Sequence, residues 1–320
     1  MTVSNERGVL AVTGVDGFVG RHVARLASRR GWRVVGLARA TELDDDLRSF
    51  LADYIPVDLR KEWPLAGKVD AIIHLAGLAA VGPSFGRPQQ YIEWNSAMVT
   101  TICESILSNA QGRARPVRVV GVSSGAVYDS AAATDPLDEA SPVAASSPYV
   151  ISKLLVEQQL AYYAKRGLDT LVVRPFNHIG PGQNAQGFLI PDLAANLRAL
   201  APGDTLAVGD LSTERDYTDV RDVADAYLRL AEAPHHEHLV YNVASGTSRA
   251  GLEMLGLLTN AMGIPMPSMK TDPTRFRATD ARRIVGSATR LRSEFGWSPT
   301  VPIERSIIDF VADSTAHDVR

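Results

Sequence analysis

Gly8-Val9-Leu10-Ala11-Val12-Thr13-Gly14-Val15-Asp16-Gly17-Phe18-Val19-Gly20 reads as a strand, a glycine turn and the start of a helix. Residues 8–13 form a short apolar run of the kind buried in a parallel sheet. An amphipathic pattern follows, to about residue 30. The three glycines let the backbone turn tightly. They also let a pyrophosphate approach the helix N-terminus, where free N–H groups and the helix dipole favour negative charge. Gly14, Gly17, Phe18, Val19 and Gly20 are therefore candidate cofactor contacts. The spacing is Gly-x-x-Gly-x-x-Gly rather than Gly-x-Gly-x-x-Gly, so the place of the turn between strand and helix carries the reading.

Outward from that turn, short apolar runs alternate with helical patterns. Strands are expected at residues 32–37, just before Val57, and at 69–74, 117–122 and 170–174, with a long helix over 88–110. This is an α/β pattern, a Rossmann doubly wound parallel sheet. Ligands of such sheets bind beyond the C-terminal ends of the strands, so the residues at those ends are the candidates for chemistry. After the second strand, the place of a ribose-binding acid holds Ala38, followed by Arg39. A missing acid and an available guanidinium favour a 2′-phosphate, hence NADP(H) over NAD. Asp58, with Leu59 beside it, could accept a hydrogen bond from an adenine amino group. Leu75, Ala76 and Gly77 would let backbone lie against the cofactor. Ser124 ends the fifth strand, where its hydroxyl could hold a substrate oxygen. Asp44-Asp45-Asp46 reads as a solvated loop or helix start.

Ser147-Pro148-Tyr149-Val150-Ile151-Ser152-Lys153 opens another helix, with Ser147 as cap and Pro148 in the first turn. Tyr149 and Lys153 then share one face. A free phenol titrates at about 10, and a nearby ammonium favours the phenolate. A tyrosine tuned in this way can exchange a proton with a carbonyl or alcohol oxygen while another group moves the hydride.

The alternation ends near residue 175. Beyond it come helices around 191–200, 223–232, 252–262 and 303–314, a less regular stretch that includes 206–209, a strand at 239–243, and an arginine-bearing segment with Arg275, Arg277, Arg282 and Arg283. Residues 1–175, with about 215–245, are expected to form the NADP-binding domain. Residues 176–214 and 246–320 are expected to form a smaller α/β C-terminal substrate-binding lid. Composition is that of a globule, 45% hydrophobic and 22% charged, and a net charge of −3 gives no reason to expect nucleic acid or an anionic membrane as partner. One cysteine, Cys103, excludes an internal disulfide framework. No apolar run reaches the roughly 18 residues of a membrane span, and the polar first residues do not read as a signal peptide. A cytoplasmic protein is expected. His235-His236-Glu237-His238 lies in a helix-to-strand connection without a second ligand cluster, so no metal is expected. A two-fold homodimer is expected only because such dimers are common.

Gly14-x-x-Gly17-Phe18-x-Gly20, Ser123-Ser124 before Tyr128, Tyr149-x-x-x-Lys153 and Arg174-Pro175-x-Asn177 occur in the order of the extended short-chain dehydrogenase/reductases that act on nucleotide sugars. The chain resembles that family over nearly its whole length. The resemblance implies Ser124, Tyr149 and Lys153 as the catalytic set, with Tyr149 exchanging the proton and Lys153 binding the nicotinamide ribose. The run from Arg174 to Gln183, together with Arg215-Asp216 and Arg277-Ala278-Thr279-Asp280, is similar to the branch acting on GDP-sugars. By that likeness His178 contacts the cofactor, and Asn177, Arg215 and Arg277 hold the nucleotide diphosphate. The implied reaction is reduction by NADPH of the C4 ketone of GDP-4-keto-6-deoxy-D-mannose, to GDP-D-rhamnose or its C4 epimer GDP-6-deoxy-D-talose. The family's dehydratases place a carboxylate soon after the catalytic hydroxyl; Gly125 and Ala126 stand there and cannot exchange a proton. Its epimerases usually retain NAD, whereas Arg39 points to NADPH and cofactor release. Where the family usually has glycine after Val-Tyr, this chain has Asp129. A nucleotide-sugar 4-epimerase and a catalytically silent NADP-binding regulator remain as alternatives.

Overall fold

In the computed structural model, residues 7–66, 68–110, 115–129, 136–184, 187–201, 203–273 and 281–318 are described. The elements run β1 (Val9–Thr13), α1 (Phe18–Arg29), β2 (Arg33–Ala38), α2 (Asp45–Arg48), β3 (Asp53–Pro56), β4 (Ala71–His74), α3 (Val81–Ser84), α4 (Pro88–Ser108), β5 (Arg118–Val122), α5 (Pro148–Lys165) and β6 (Asp169–Pro175). They continue with β7 (Asn177–Ile179), α6 (Leu189–Ala199), β8 (Thr205–Val208), β9 (Glu214–Asp219), α7 (Val220–Glu232), β10 (Val240–Val243), β11 (Ser248–Ala250), α8 (Gly251–Met262), β12 (Ser268–Thr271), β13 (Arg283–Ile284), α9 (Thr289–Phe295) and α10 (Ile303–Asp318).

Seven strands form one sheet in the order β10-β6-β5-β4-β1-β2-β3, every neighbouring pair parallel. Side chains alternate across a strand, and the two cores divide accordingly. Leu10, Val12, Ile73 and Val120 pack with Val23, Ala24 and Ala27 of α1 and with Val223 and Tyr227 of α7. Ala11, Ile72, Val119 and Val172 point the other way, against Ile102 of α4 and Val156 and Leu160 of α5. With both faces covered, the strands can be apolar throughout, as the sequence shows. Gly121 of β5 marks a close approach of α5 to the sheet: a Cβ there would lie 2.3 Å from Leu160 Cδ1. Asp44 caps α2, accepting from Leu47 N at 2.9 Å, so the acidic run is a helix start.

The smaller part rests on a four-stranded sheet, β11-β9-β13 with β7 on β9, and on the parallel pair β8-β12. Helices α6, α8 and α10 close a separate apolar core there, with Ile190, Leu255 and Phe310 inside. The expected boundaries differ from this in two places. Residues 215–219, expected in the nucleotide-binding part, hydrogen-bond into this second sheet, because β7 runs on past β6 and offers β9 a parallel partner; Ala288, Leu291 and Trp297, expected in the lid, pack into the core of the large sheet. The next helix, α7, then packs on the large sheet.

Asp222 of α7 holds the segment between α9 and α10. Its carboxylate accepts from Thr300 N at 2.9 Å, Thr300 Oγ1 at 2.8 Å and Val301 N at 2.9 Å, while the fully buried Trp297 donates to its carbonyl at 3.0 Å. Asp222→Ala would strand three donors in a site only 4% exposed. Urea unfolding should show a loss of about 2–4 kcal/mol; a loss below about 0.5 kcal/mol would mean that the clamp contributes nothing.

Candidate active site

The glycine turn is as tight as its sequence implies. Gly14 has φ +64, and a Cβ on it would meet Ala76 N at 2.9 Å; one on Gly20 would meet Gly14 O at 2.2 Å. Gly17 caps α1 without any side-chain hydrogen bond, so the first N–H groups, from Phe18 and Val19 on, face the strand ends. Across the turn, Thr13 Oγ1 accepts from Leu75 N and Ala76 N, each at 3.1 Å, and lies 2.8 Å from His74 Nδ1. Leu75, Ala76 and Gly77 are thereby pinned beside Gly14. Asn95 of α4 secures them from the other side: Oδ1 accepts from Leu78 N at 2.8 Å and Nδ2 donates to Ser152 Oγ at 2.9 Å. Its role is structural. The cradle has room for a phosphate because no Cβ fills it, and a nicotinamide dinucleotide fits the donor set around it.

At the end of β2, Arg39 is exposed and its guanidinium lies 5.3 Å from the centroid of Trp94. Arg60 stacks on the same indole at 3.9 Å. Asp58 is forked by Arg60, Nε to Oδ1 at 2.8 Å and Nη2 to Oδ2 at 2.6 Å, and Oδ1 also accepts Arg60 N at 3.1 Å. The hydrogen bonds from Arg60 hold this carboxyl down at about 2. An adenine amino group would therefore have to share Asp58 with Arg60, with Oδ2 the less occupied oxygen. Leu59 next to it is buried.

Ser124, Tyr149 and Lys153 come together beyond β5. Ser124 caps the short 3-10 turn at Gly125–Val127 through Ala126 N, at 3.1 Å, and its hydroxyl hydrogen-bonds the Tyr149 phenol. Ser147 caps α5 by accepting from Val150 N at 3.2 Å, and Pro148 occupies the first turn. That start places Tyr149, 6% exposed, against the edge of Tyr91, ring centroids 6.4 Å apart. Lys153 Nζ donates to Val122 O at 2.9 Å and lies 5.9 Å from the Tyr149 ring centroid.

The expected lowering of the tyrosine is not what this arrangement produces. Burial pushes the Tyr149 phenol above its ordinary value, with the Ser124 hydrogen bond acting in the opposite direction. Burial also lowers Lys153 to about 8, Glu157 opposing the shift. A lysine drawn to the Val122 carbonyl does less for the phenolate than its sequence spacing suggests. His74, also buried, is held neutral at about 3.

His178 is half-buried and its ring stacks on Phe18, centroids 6.0 Å apart and planes 9° apart. Its Nδ1 lies 3.0 Å from Phe176 O, and burial lowers its basicity, so the neutral ring donates from Nδ1. His22 of α1 reaches Pro181 O at 2.9 Å, holding the same loop to the glycine turn. Asn177 is exposed; its strand register places it beside Tyr217, on the face of the small sheet that Arg215 shares. Arg215 donates to Glu214 O at 2.7 Å. Arg275 and Arg277 lie outside the described residues. Asp129 adopts no positive φ, so the departure from glycine there costs no backbone strain.

Sequence reasoning missed Thr13, His74, Trp94, Arg60 and a buried carboxylate, Glu157, that joins Ser123 and Arg174. Glu157 had a signal, since it follows Lys153 at helical spacing. At the opposite, N-terminal end of the sheet, His236 Nε2 pairs with Asp169 at 2.9 Å. Glu237, His238 and Glu294 bring ligand atoms within 4.8 Å of one another, but Glu294 already accepts from Glu237 N and Tyr241 Oη.

The profile of the NAD dependent epimerase/dehydratase family matches residues 10–244. A GDP-6-deoxy-D-mannose reductase of Pseudomonas aeruginosa is 34% identical over 312 residues, covering 95% of this chain and 96% of that one. A UDP-glucose 4-epimerase of Mycolicibacterium smegmatis is 30% identical over 307 residues, covering 92% and 95%. Among solved structures, MoeE5 in complex with UDP-glucuronic acid and NAD superposes with a TM-score of 0.83 at 25% identity, over 97% of this chain and all of that one. By its matched residues, its parallel sheet and its glycine turn, the chain belongs to the NAD dependent epimerase/dehydratase family, the extended short-chain dehydrogenase/reductases.

Proposed function

We propose that this protein is an NADPH-dependent reductase of the C4 ketone of a nucleotide-linked 4-keto-6-deoxyhexose, with GDP-4-keto-6-deoxy-D-mannose as substrate and GDP-D-rhamnose or GDP-6-deoxy-D-talose as product. The observation that carries the reading is the meeting of Ser124, Tyr149 and Lys153 at one strand end, with Gly125 and Ala126 where an elimination base would stand. The identity to the Pseudomonas reductase supports the GDP-sugar.

The nicotinamide, when bound, supplies the hydride. The rest falls to the chain. Ser124 holds the ketone oxygen beside the Tyr149 phenol. A phenol raised by burial is protonated at neutral pH, which suits a donor: Tyr149 gives its proton to the oxygen as it becomes an alkoxide. Lys153 holds the nicotinamide ribose and supports the phenolate left behind. Phe18, Val19 and the three glycines receive the pyrophosphate, Leu75 to Gly77 lie along the cofactor, and Asp58 with Leu59 meets the adenine. Arg39, presented by Trp94, takes the 2′-phosphate. His178 borders the cofactor, while Asn177 and Arg215, with Arg277, meet the substrate diphosphate.

A 4-epimerase is the second reading, favoured by the Mycolicibacterium relative; it would turn over sugar without net NADPH consumption. We read the protein as cytoplasmic and as a homodimer. Among the described residues no helix is long and apolar enough to cross a membrane. Helix α5 exposes Ile151, Leu155 and Tyr162, 39%, 37% and 54% accessible, which a second copy could cover.

Two outcomes test the reading. The parent protein should consume NADPH, seen as loss of its near-ultraviolet absorbance, when given GDP-4-keto-6-deoxy-D-mannose. Tyr149→Phe should lower kcat by about 10²–10⁴-fold while still binding cofactor; turnover of the ketosugar without NADPH loss would favour the epimerase. Arg39→Ala should weaken NADPH binding by about 10–100-fold, the worth of a charge-assisted contact, and leave NADH binding unchanged. An equal effect on both cofactors would remove Arg39 from the 2′-phosphate site.

A further inference from the structure

Glu157 lies one turn beyond Lys153 on α5 and is only 5% exposed. A carboxylate taken out of water is strongly unfavourable unless its charge is balanced and its lone pairs are filled. Both conditions are met here. Arg174, itself 6% exposed, forks it, Nε to Oε1 at 2.9 Å and Nη2 to Oε2 at 2.6 Å. The Ser123 hydroxyl donates to Oε1 at 2.5 Å. Arg174 in turn lies 4.9 Å above the Tyr128 ring, and the Tyr128 hydroxyl donates to Asn242 Oδ1 at 2.6 Å.

Each partner belongs to a different segment of the site. Ser123 is the neighbour of Ser124. Arg174 is near the end of β6, from which the chain goes on to Asn177 and His178. Lys153 stands on the same helix face as Glu157. For packing alone, apolar residues of similar volume would serve as well or better, since buried ion pairs seldom add stability over such replacements. The retained charge therefore calls for a role.

We propose that Glu157 is a positioning residue for the catalytic set: its carboxylate orients Ser123, and through it Ser124, and supplies the negative charge that faces the Lys153 ammonium. This rests on the assignment of Tyr149 and Lys153 given above. Among the described residues, Tyr149 and Glu157 face Lys153 from α5, neutral His74 from β4 and the Val122 carbonyl from the end of β5, and Tyr91 of α4 lies behind Tyr149. Arg174 of β6 acts on it through Glu157. Within this set Glu157 is the one carboxylate among the described residues. It raises the lysine against the lowering by burial, which leaves the ammonium at about 8.

The sign follows. Removing the carboxylate lets the ammonium deprotonate at lower pH, so whatever depends on that charge fails earlier as pH rises. NADPH and NADH would be titrated by fluorescence between neutral and alkaline pH, with the parent, Glu157→Gln, Glu157→Asp and Arg174→Gln. The kcat profile on GDP-4-keto-6-deoxy-D-mannose would be taken in parallel. In Glu157→Gln the alkaline limb of cofactor affinity should move down by about one pH unit, and Glu157→Asp should bring it back toward the parent. Should Glu157→Gln fail to fold, Arg174→Gln provides a second arm: a carboxylate left buried without its counter-charge takes up a proton, so Lys153 again loses its facing charge and the limb should again move down. A limb at the parental pH in these variants, or a uniform loss of affinity at every pH, would overturn the proposal. A parent that shows the pH-dependent cofactor limb but no turnover would count against the GDP-sugar substrate and not against Glu157.

Discussion

A parallel sheet covered on both faces leaves its strand ends as the place where backbone can meet a ligand, and all seven strands here end at one edge. At that edge the chain must turn without leaving N–H or C=O groups unpaired. Thr13 meets this constraint at the centre of the sheet. Its hydroxyl accepts two backbone N–H groups from the segment after β4, and Gly14 then passes close enough to Ala76 that no Cβ would fit. The cradle for a pyrophosphate follows from that close packing. Phe18, His178, His22 and Pro181 extend it, so the glycine turn and the loop after β6 form one unit.

The second layer of the site is electrostatic. Burial alone would leave Tyr149 a weak acid and Lys153 a weak base, as both shifts show. A protonated phenol suits proton delivery to a developing alkoxide better than proton removal from an alcohol. Glu157 and Arg174 set a compensated charge pair beneath this site, built from α5, β6 and the end of β5.

The alternation of apolar runs and helices made the sheet legible, because residues with both faces buried must be apolar whatever their neighbours. The helix start at Ser147 was equally legible, since capping and proline placement are local effects. The second sheet was less so. Its strands are short, and β9 could be assigned only once its partner β7 was seen beside it. The reading of Asp58 as an adenine acceptor did not foresee the Arg60 fork, and that of Tyr149 as a lowered phenol did not foresee its burial. The acidic run at Asp44 fits a loop or a helix start equally well by sequence, and the hydrogen bond from Leu47 N to its carboxylate makes it a cap.

What the sequence by itself determined was the sheet, the glycine turn, and the helical spacing that sets Tyr149 and Lys153 on one face, all consequences of periodicity and local backbone chemistry. Only the tertiary structure decided the state of those groups. Desolvation, the draw of the Val122 carbonyl on Lys153, and the meeting of Glu157 with Ser123 and Arg174 depend on distances between elements. No single stretch of chain encodes such distances.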